Sequence, residues 1–159
     1  MNNHPKVPFS VSKWVHILNG ISVICIIGSV IYVISEYQHL PDTIPIHFNA
    51  LGEADNWGSK TTVFISPGIG ILIFIALYFV SKYPHVFNYP FPITEENASR
   101  IYPVANLFMT IINLEMVLIF TFVSIDIFSD FLGLWFIFVV FGLPLLTILI
   151  FILQIRKVA

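Results

Sequence analysis

Between positions 47 and 57 the sequence gathers an imidazole, an amide, two carboxylates and an indole, carried by His47, Asn49, Glu53, Asp55 and Trp57. Imidazole nitrogen and carboxylate oxygen suit a divalent ion such as zinc or manganese. The spacing of His47, Glu53 and Asp55 follows no strong metal signature, so no cofactor is assigned and a divalent metal stays an open alternative. The same groups could form a recognition surface for a peptide or small ligand, with Trp57 as aromatic anchor. They could equally be a folded cap in which polar side chains satisfy one another. Catalysis has less behind it, because the sequence holds no nucleophile–base pair, phosphate loop or paired catalytic motif.

A second polar group falls inside an apolar stretch. Glu115 sits near its middle, and an intramembrane carboxyl is costly enough to be a functional candidate. On a helix, Asn106, Thr110 and Asn113 share one face, while Glu115 falls nearly opposite among Ile111, Ile119 and Phe122. Both faces cannot point at the centre of one small bundle. One is therefore expected to pack on neighbouring helices and the other to meet a partner, in a homo-oligomer or with another membrane subunit. Glu115 either hydrogen-bonds a neighbour such as Thr147 or Ser29, or serves a membrane enzyme or transporter together with the loop histidine and carboxylates.

The elements that must position these residues are membrane helices. The 159 residues are 57% hydrophobic and only 10% charged, with a mean hydropathy of +0.90. A soluble domain of this size needs far more charge to cover its surface. Four stretches reach the length of about 20 apolar residues that a helical span needs: about 15–35, 62–81, 101–124 and 132–153. The first is too long for a signal-peptide core and lacks a small-residue cleavage site, so it is read as a retained helix. Neither a basic run nor aromatic-basic interleaving favours nucleic acid. The single Cys25 lies in the first span and excludes an intrachain disulfide.

Basic residues set the orientation. With the N-terminus inside, Lys6, Lys13, Lys82, Arg100, Arg156 and Lys157 are cytoplasmic and only Lys60 is outside. The positive-inside rule therefore predicts both termini in the cytoplasm. Trp14, Tyr37, Trp57, Tyr83, Tyr102 and Trp135 fall near the predicted boundaries as interface anchors.

The outer loop, 38–60, then carries the His47 group. Pro41 and Pro45 exclude a regular helix, and Ile44, Ile46 and Phe48 alternate with Pro45, His47 and Asn49. An extended stretch follows, its apolar face on the bundle mouth, with turn chemistry over Asn49–Gly52 and Trp57 buried against the bundle. Inside, Pro84, Pro90 and Pro92 make the second link irregular, and Thr94 caps a third helix that begins before the membrane. Glu95 and Glu96 suit its first turn. The short stretch Ile125 to Phe131 makes the last two helices antiparallel neighbours. Ser22, Cys25, Ser29, Gly68, Gly70, Gly133 and Gly142 mark close helix approaches, Pro144 a kink, and Pro67 a first turn or a bend.

The run Leu40-Pro41-Asp42, Ile44-Pro45, His47-Phe48-Asn49, Gly52-Glu53, Asp55 and Trp57-Gly58-Ser59-Lys60 resembles the signature of a bacterial membrane family of unknown function. The same domain forms the N-terminal part of SdpI-type immunity proteins. The likeness continues at Ile93-Thr94-Glu95-Glu96-Asn97-Ala98 and Tyr102. It implies a bacterial plasma-membrane location, an important outer loop, and a non-catalytic role in immunity to a toxic peptide or in sensing. The expectation is thus an all-α membrane protein, a single domain over 1–159, built as a four-transmembrane-helix bundle with a structured extracytoplasmic loop between helices 1 and 2.

Overall fold

The protein is described by a computed structural model covering residues 4–49, 53–129 and 135–158. Expectations for the turn beyond Asn49, for Gly133 and for the end of the link before the last helix lie outside the described residues. Among the described residues, four helices are long and apolar enough to cross a membrane: α1 (Lys13–Glu36), α2 (Ile65–Ser81), α3 (Glu95–Ser129) and α4 (Trp135–Val158). In lipid a helix is a spanning form because it satisfies its own backbone polar groups. The chain is a multi-pass membrane protein whose apolar helices suit contact with the bilayer.

The helix starts follow their capping chemistry. Ser12 Oγ accepts from Trp14 N at 3.3 Å and opens α1. Thr94 and Asn97 cap α3 reciprocally: Thr94 Oγ1 accepts from Asn97 N at 3.3 Å, and Asn97 Oδ1 accepts from Thr94 N at 2.9 Å. Pro67 occupies the first turn of α2, where its missing N–H has no intrahelical partner to lose. α4 runs on through Pro144.

Three expectations need correction. The third helix does not stop near 124 but continues to Ser129, because Ile127 and Phe128 pack into a cluster with Val33, Ile44 and Val63. Its 35 residues span about 50 Å at 1.5 Å per residue, well beyond a hydrocarbon core of about 30 Å. Secondly, the two polar faces of α3 are both used inside the chain. Asn106 Nδ2 donates to Ser81 O at 2.8 Å and Asn113 Nδ2 to Phe74 O at 3.2 Å, both on α2. Glu115 meets α4, where Thr147 Oγ1 donates to its Oε1 at 2.5 Å. This works because α3 packs against α1, α2 and α4 in turn, so its neighbours surround it. Thirdly, only some small residues mark close approach. A Cβ on Gly70 would stand 3.2 Å from Phe120 Cβ, whereas Gly68 and Gly142 face open space. Ser22 and Ser29 are buried.

Between α1 and α2 lies a two-stranded antiparallel sheet, β1 (Thr43–Phe48) and β2 (Ala54–Ser59). At the opposite end, residues 4–9, the link after α2, the start of α3 and the end of α4 meet around Ala98, Ile101, Tyr102 and Ile155. Both described chain ends therefore lie on one side of the helices. Tyr102 is a core residue there, 1% exposed, and not an interface anchor.

Candidate functional site

The hairpin is anchored at its foot and at Ile44, whereas Ile46, expected to rest on the bundle mouth with it, is 45% exposed. Lys60 N donates to Asp42 O at 3.0 Å, and Lys60 Nζ pairs with Asp42 Oδ1 at 3.0 Å while lying over the Tyr37 ring at 5.4 Å. Ile44, 3% exposed, is driven into the cluster with Val33 and Val63. Ile46 lies over Gly58, where an added Cβ would sit 2.9 Å from Ile46 Cδ1, so a larger residue there would push the Ile46 side chain aside. Side chains alternate across a strand. With Ile44 and Ile46 on the inner face, Pro45, His47, Asp55 and Trp57 fall to the outer one.

Register and bulges then bring the polar groups together. Pro45 pairs with Trp57, His47 with Asn56 and Phe48 with Ala54, with irregularities on either side of His47. Pro45 has no N–H to give the ladder, and a bulge re-aims the side chains beside it. His47 Nδ1 thereby reaches Asp55 Oδ1 at 2.5 Å. Beyond it Asn49 and Glu53 are locked to each other. Asn49 N donates to Glu53 O at 2.9 Å, Glu53 N to Asn49 Oδ1 at 3.0 Å, and Asn49 Nδ2 to Glu53 Oε2 at 3.0 Å. His47, Asp55 and Trp57 are all exposed.

Trp57 departs from expectation: at 57% exposed it does not pack against the bundle. The alternation of the strand turns it outward, opposite Pro45. Glu53 is held by Asn49, so His47 and Asp55 form a pair without it. Among the described residues no three histidine, cysteine or carboxylate side chains gather in the manner of a metal centre. The sheet face can present a polarised imidazole, a carboxylate and a bare indole to a ligand.

The intramembrane residues form no part of this face. Among the described residues, Glu115 Oε2 and the Oδ1 atoms of Asn106 and Asn113 are buried without a hydrogen-bond partner. The sequence reading missed the opposite end of the molecule. There Tyr102 Oη donates to Pro5 O at 2.7 Å, Tyr89 Oη donates to Pro84 O at 2.9 Å, and the His4 and Tyr89 rings meet edge to face at 5.5 Å. Burial, and then the neighbouring Tyr102 hydroxyl, push the Tyr89 phenol well above its ordinary value. The signal lay in the aromatic spacing of Phe87, Tyr89 and Phe91 among prolines.

Residues 23–71, from within α1 through the hairpin into α2, match the family model described as a domain of unknown function (DUF1648). An uncharacterized protein of Archaeoglobus fulgidus is 37% identical over 68 residues, which cover 38% of this chain and 37% of that protein. The match thus spans well under two thirds of that relative. No solved structure matches the chain. Both matches point to a family of unknown function.

Proposed function

We propose that this chain is a non-catalytic membrane binding protein whose hairpin face engages an extracytoplasmic ligand, a toxic peptide being the foremost candidate. The observation that carries the reading is the His47–Asp55 bond of 2.5 Å beside an exposed Trp57, on a sheet anchored at its foot by the buried Ile44. A large exposed indole next to a fixed polar pair is the composition of a binding hot spot. Long ordered loops with Pro and Gly at turn positions tend to carry function.

On this reading the protein resembles SdpI-type immunity and sensing proteins. It resides in a bacterial plasma membrane with both termini cytoplasmic, which the distribution of Lys and Arg supports. A deletion strain challenged with peptide toxins, complemented by the wild type and by His47→Ala, Asp55→Ala and Trp57→Ala, tests it. Protection is expected from the wild type alone; equal protection by all three variants would sink the reading.

A second reading, a membrane enzyme or transporter, is favoured by one observation, the buried Glu115 Oε2 that has no hydrogen-bond partner among the described residues. A stoichiometric metal on the purified protein, lost in His47→Ala, would move weight to a metal-dependent enzyme.

A further inference from the structure

Tertiary packing gathers cations from three distant stretches of chain at the end of the molecule away from the hairpin. Residues 4–9 form an extended strap, stiffened by Pro5 and Pro8. Tyr102 Oη donates to Pro5 O at 2.7 Å, and Val7 and Phe9 pack on the cluster of Ala98, Ile101, Tyr102 and Ile155. Lys6 stands between these anchors on the exposed side of the strap. Arg100 lies between the cluster residues Ala98 and Ile101 of α3, and Arg156 and Lys157 directly follow Ile155 in the last turn of α4. All four cations are exposed. Glu95 and Glu96 are close in the chain, yet among the described residues none of the four is in an ion pair with a carboxylate.

The depth of this cluster and the surface beside it indicate what meets the charge. Trp14 and Tyr83 are both exposed at this end, and such rings settle among lipid headgroups. On α4, Leu146, Leu149, Leu153 and Lys157 recur at helical spacing and share one face, with Arg156 beside it. The three leucines are each more than half exposed. An apolar track about 10 Å long therefore leads along the helix to two cations. A free anion would use the cations alone. A phospholipid uses both features, its acyl chain on the track and its phosphate among the basic groups. The lysine of the hairpin end offers no equivalent, because Lys60 is paired with Asp42 and lies over the Tyr37 ring.

We propose that this end carries a binding site for an anionic phospholipid, its headgroup met by Lys6, Arg100, Arg156 and Lys157 and an acyl chain laid along Leu153, Leu149 and Leu146. The strap is part of the site, since the docking of Pro5 and Val7 holds Lys6 there. The proposal is independent of the hairpin's role.

The test incubates the full chain in detergent with equal amounts of phosphatidylglycerol and phosphatidylcholine of identical acyl chains. Retained lipid is counted by native mass spectrometry. Preferential retention of phosphatidylglycerol is expected, falling about fivefold for each of the four charges removed by substitution with Gln. Lys6→Gln with Arg156→Gln should thus weaken it about 25-fold. Lys13→Gln with Lys82→Gln removes the same charge from the same end, where each lysine lies over an aromatic ring beside it in its own segment, and should leave the preference nearly intact. Should the first pair lose helix content by circular dichroism, the single Lys6→Gln and Lys157→Gln proteins give the same reading at about fivefold each. Equal retention of the two lipids by a helical chain would overturn the proposal. An equal loss in the Lys13 and Lys82 pair would overturn it as well, by reducing the effect to net charge. Displacement of the lipid by the same concentration of inorganic phosphate would overturn it in favour of a free-anion site.

Discussion

His47 on β1 and Asp55 on β2 are hydrogen-bonded across an irregular register, although the residue opposite His47 in the ladder is Asn56. The bulges around His47 create this pairing, so imidazole and carboxylate share the outer face with Trp57. An exposed pair of this kind contributes about 1 kcal/mol or less to stability. His47→Ala and Asp55→Ala are therefore expected to insert normally and to melt within a few degrees of the wild type while losing protection against toxic peptide. Trp57→Ala should behave likewise, because a ring that is 57% exposed leaves little cavity when removed. Parallel measurement of melting temperature and phenotype decides this: stability lost together with activity in the polar pair would mark a structural cap.

The charge distribution predicts which side the hairpin occupies. In a Cys25→Ser background, Asn56→Cys should react with an impermeant thiol reagent in intact cells. Asn88→Cys should not. Both positions are exposed in the structure, so a reversed pattern would invert the topology and place the hairpin in the cytoplasm.

Glu115 and Thr147 make a direct side-chain link between α3 and α4. Thr147→Val leaves the carboxyl without that donor and should destabilise the protein by about 1–2 kcal/mol. Glu115→Gln keeps an acceptor for Thr147 and should fold and function almost normally. If Glu115→Gln expresses well yet loses all function, the carboxyl has a chemical role and the transporter reading gains.

The environment of Tyr89 has a consequence at alkaline pH. Its phenol is raised above the ordinary value of 10.0, first by burial and then by Tyr102. The fold favours the neutral form, so this contribution is fully present below about pH 10 and is lost progressively as pH climbs beyond it. Melting temperature measured across that range should fall, and Tyr89→Phe should flatten part of the fall. Identical pH profiles for the two proteins would show that Tyr89 ionisation is not coupled to folding.

The four helices were legible in the sequence because a membrane span is a local property: about 20 apolar residues in a row have few other places to go. The Thr94 cap and the bond between Glu115 and Thr147 could likewise be named in advance, the first from capping chemistry and the second as one of the alternatives for a carboxyl in a dry setting. The contact of His47 and Asn49 with the carboxylates beyond them also followed from strand alternation. The second strand did not. Ala54–Ser59 carries no apolar alternation, and it is a strand because β1 offers it a ladder and Ile46 covers Gly58. The outward turn of Trp57, the extension of α3 to Ser129 and the use of both its polar faces depended on which neighbours were present. The strap over Tyr102 joins residues 97 positions apart. Such contacts belong to tertiary packing, because the partner that makes each one favourable is distant in the chain and nothing in the local sequence records it.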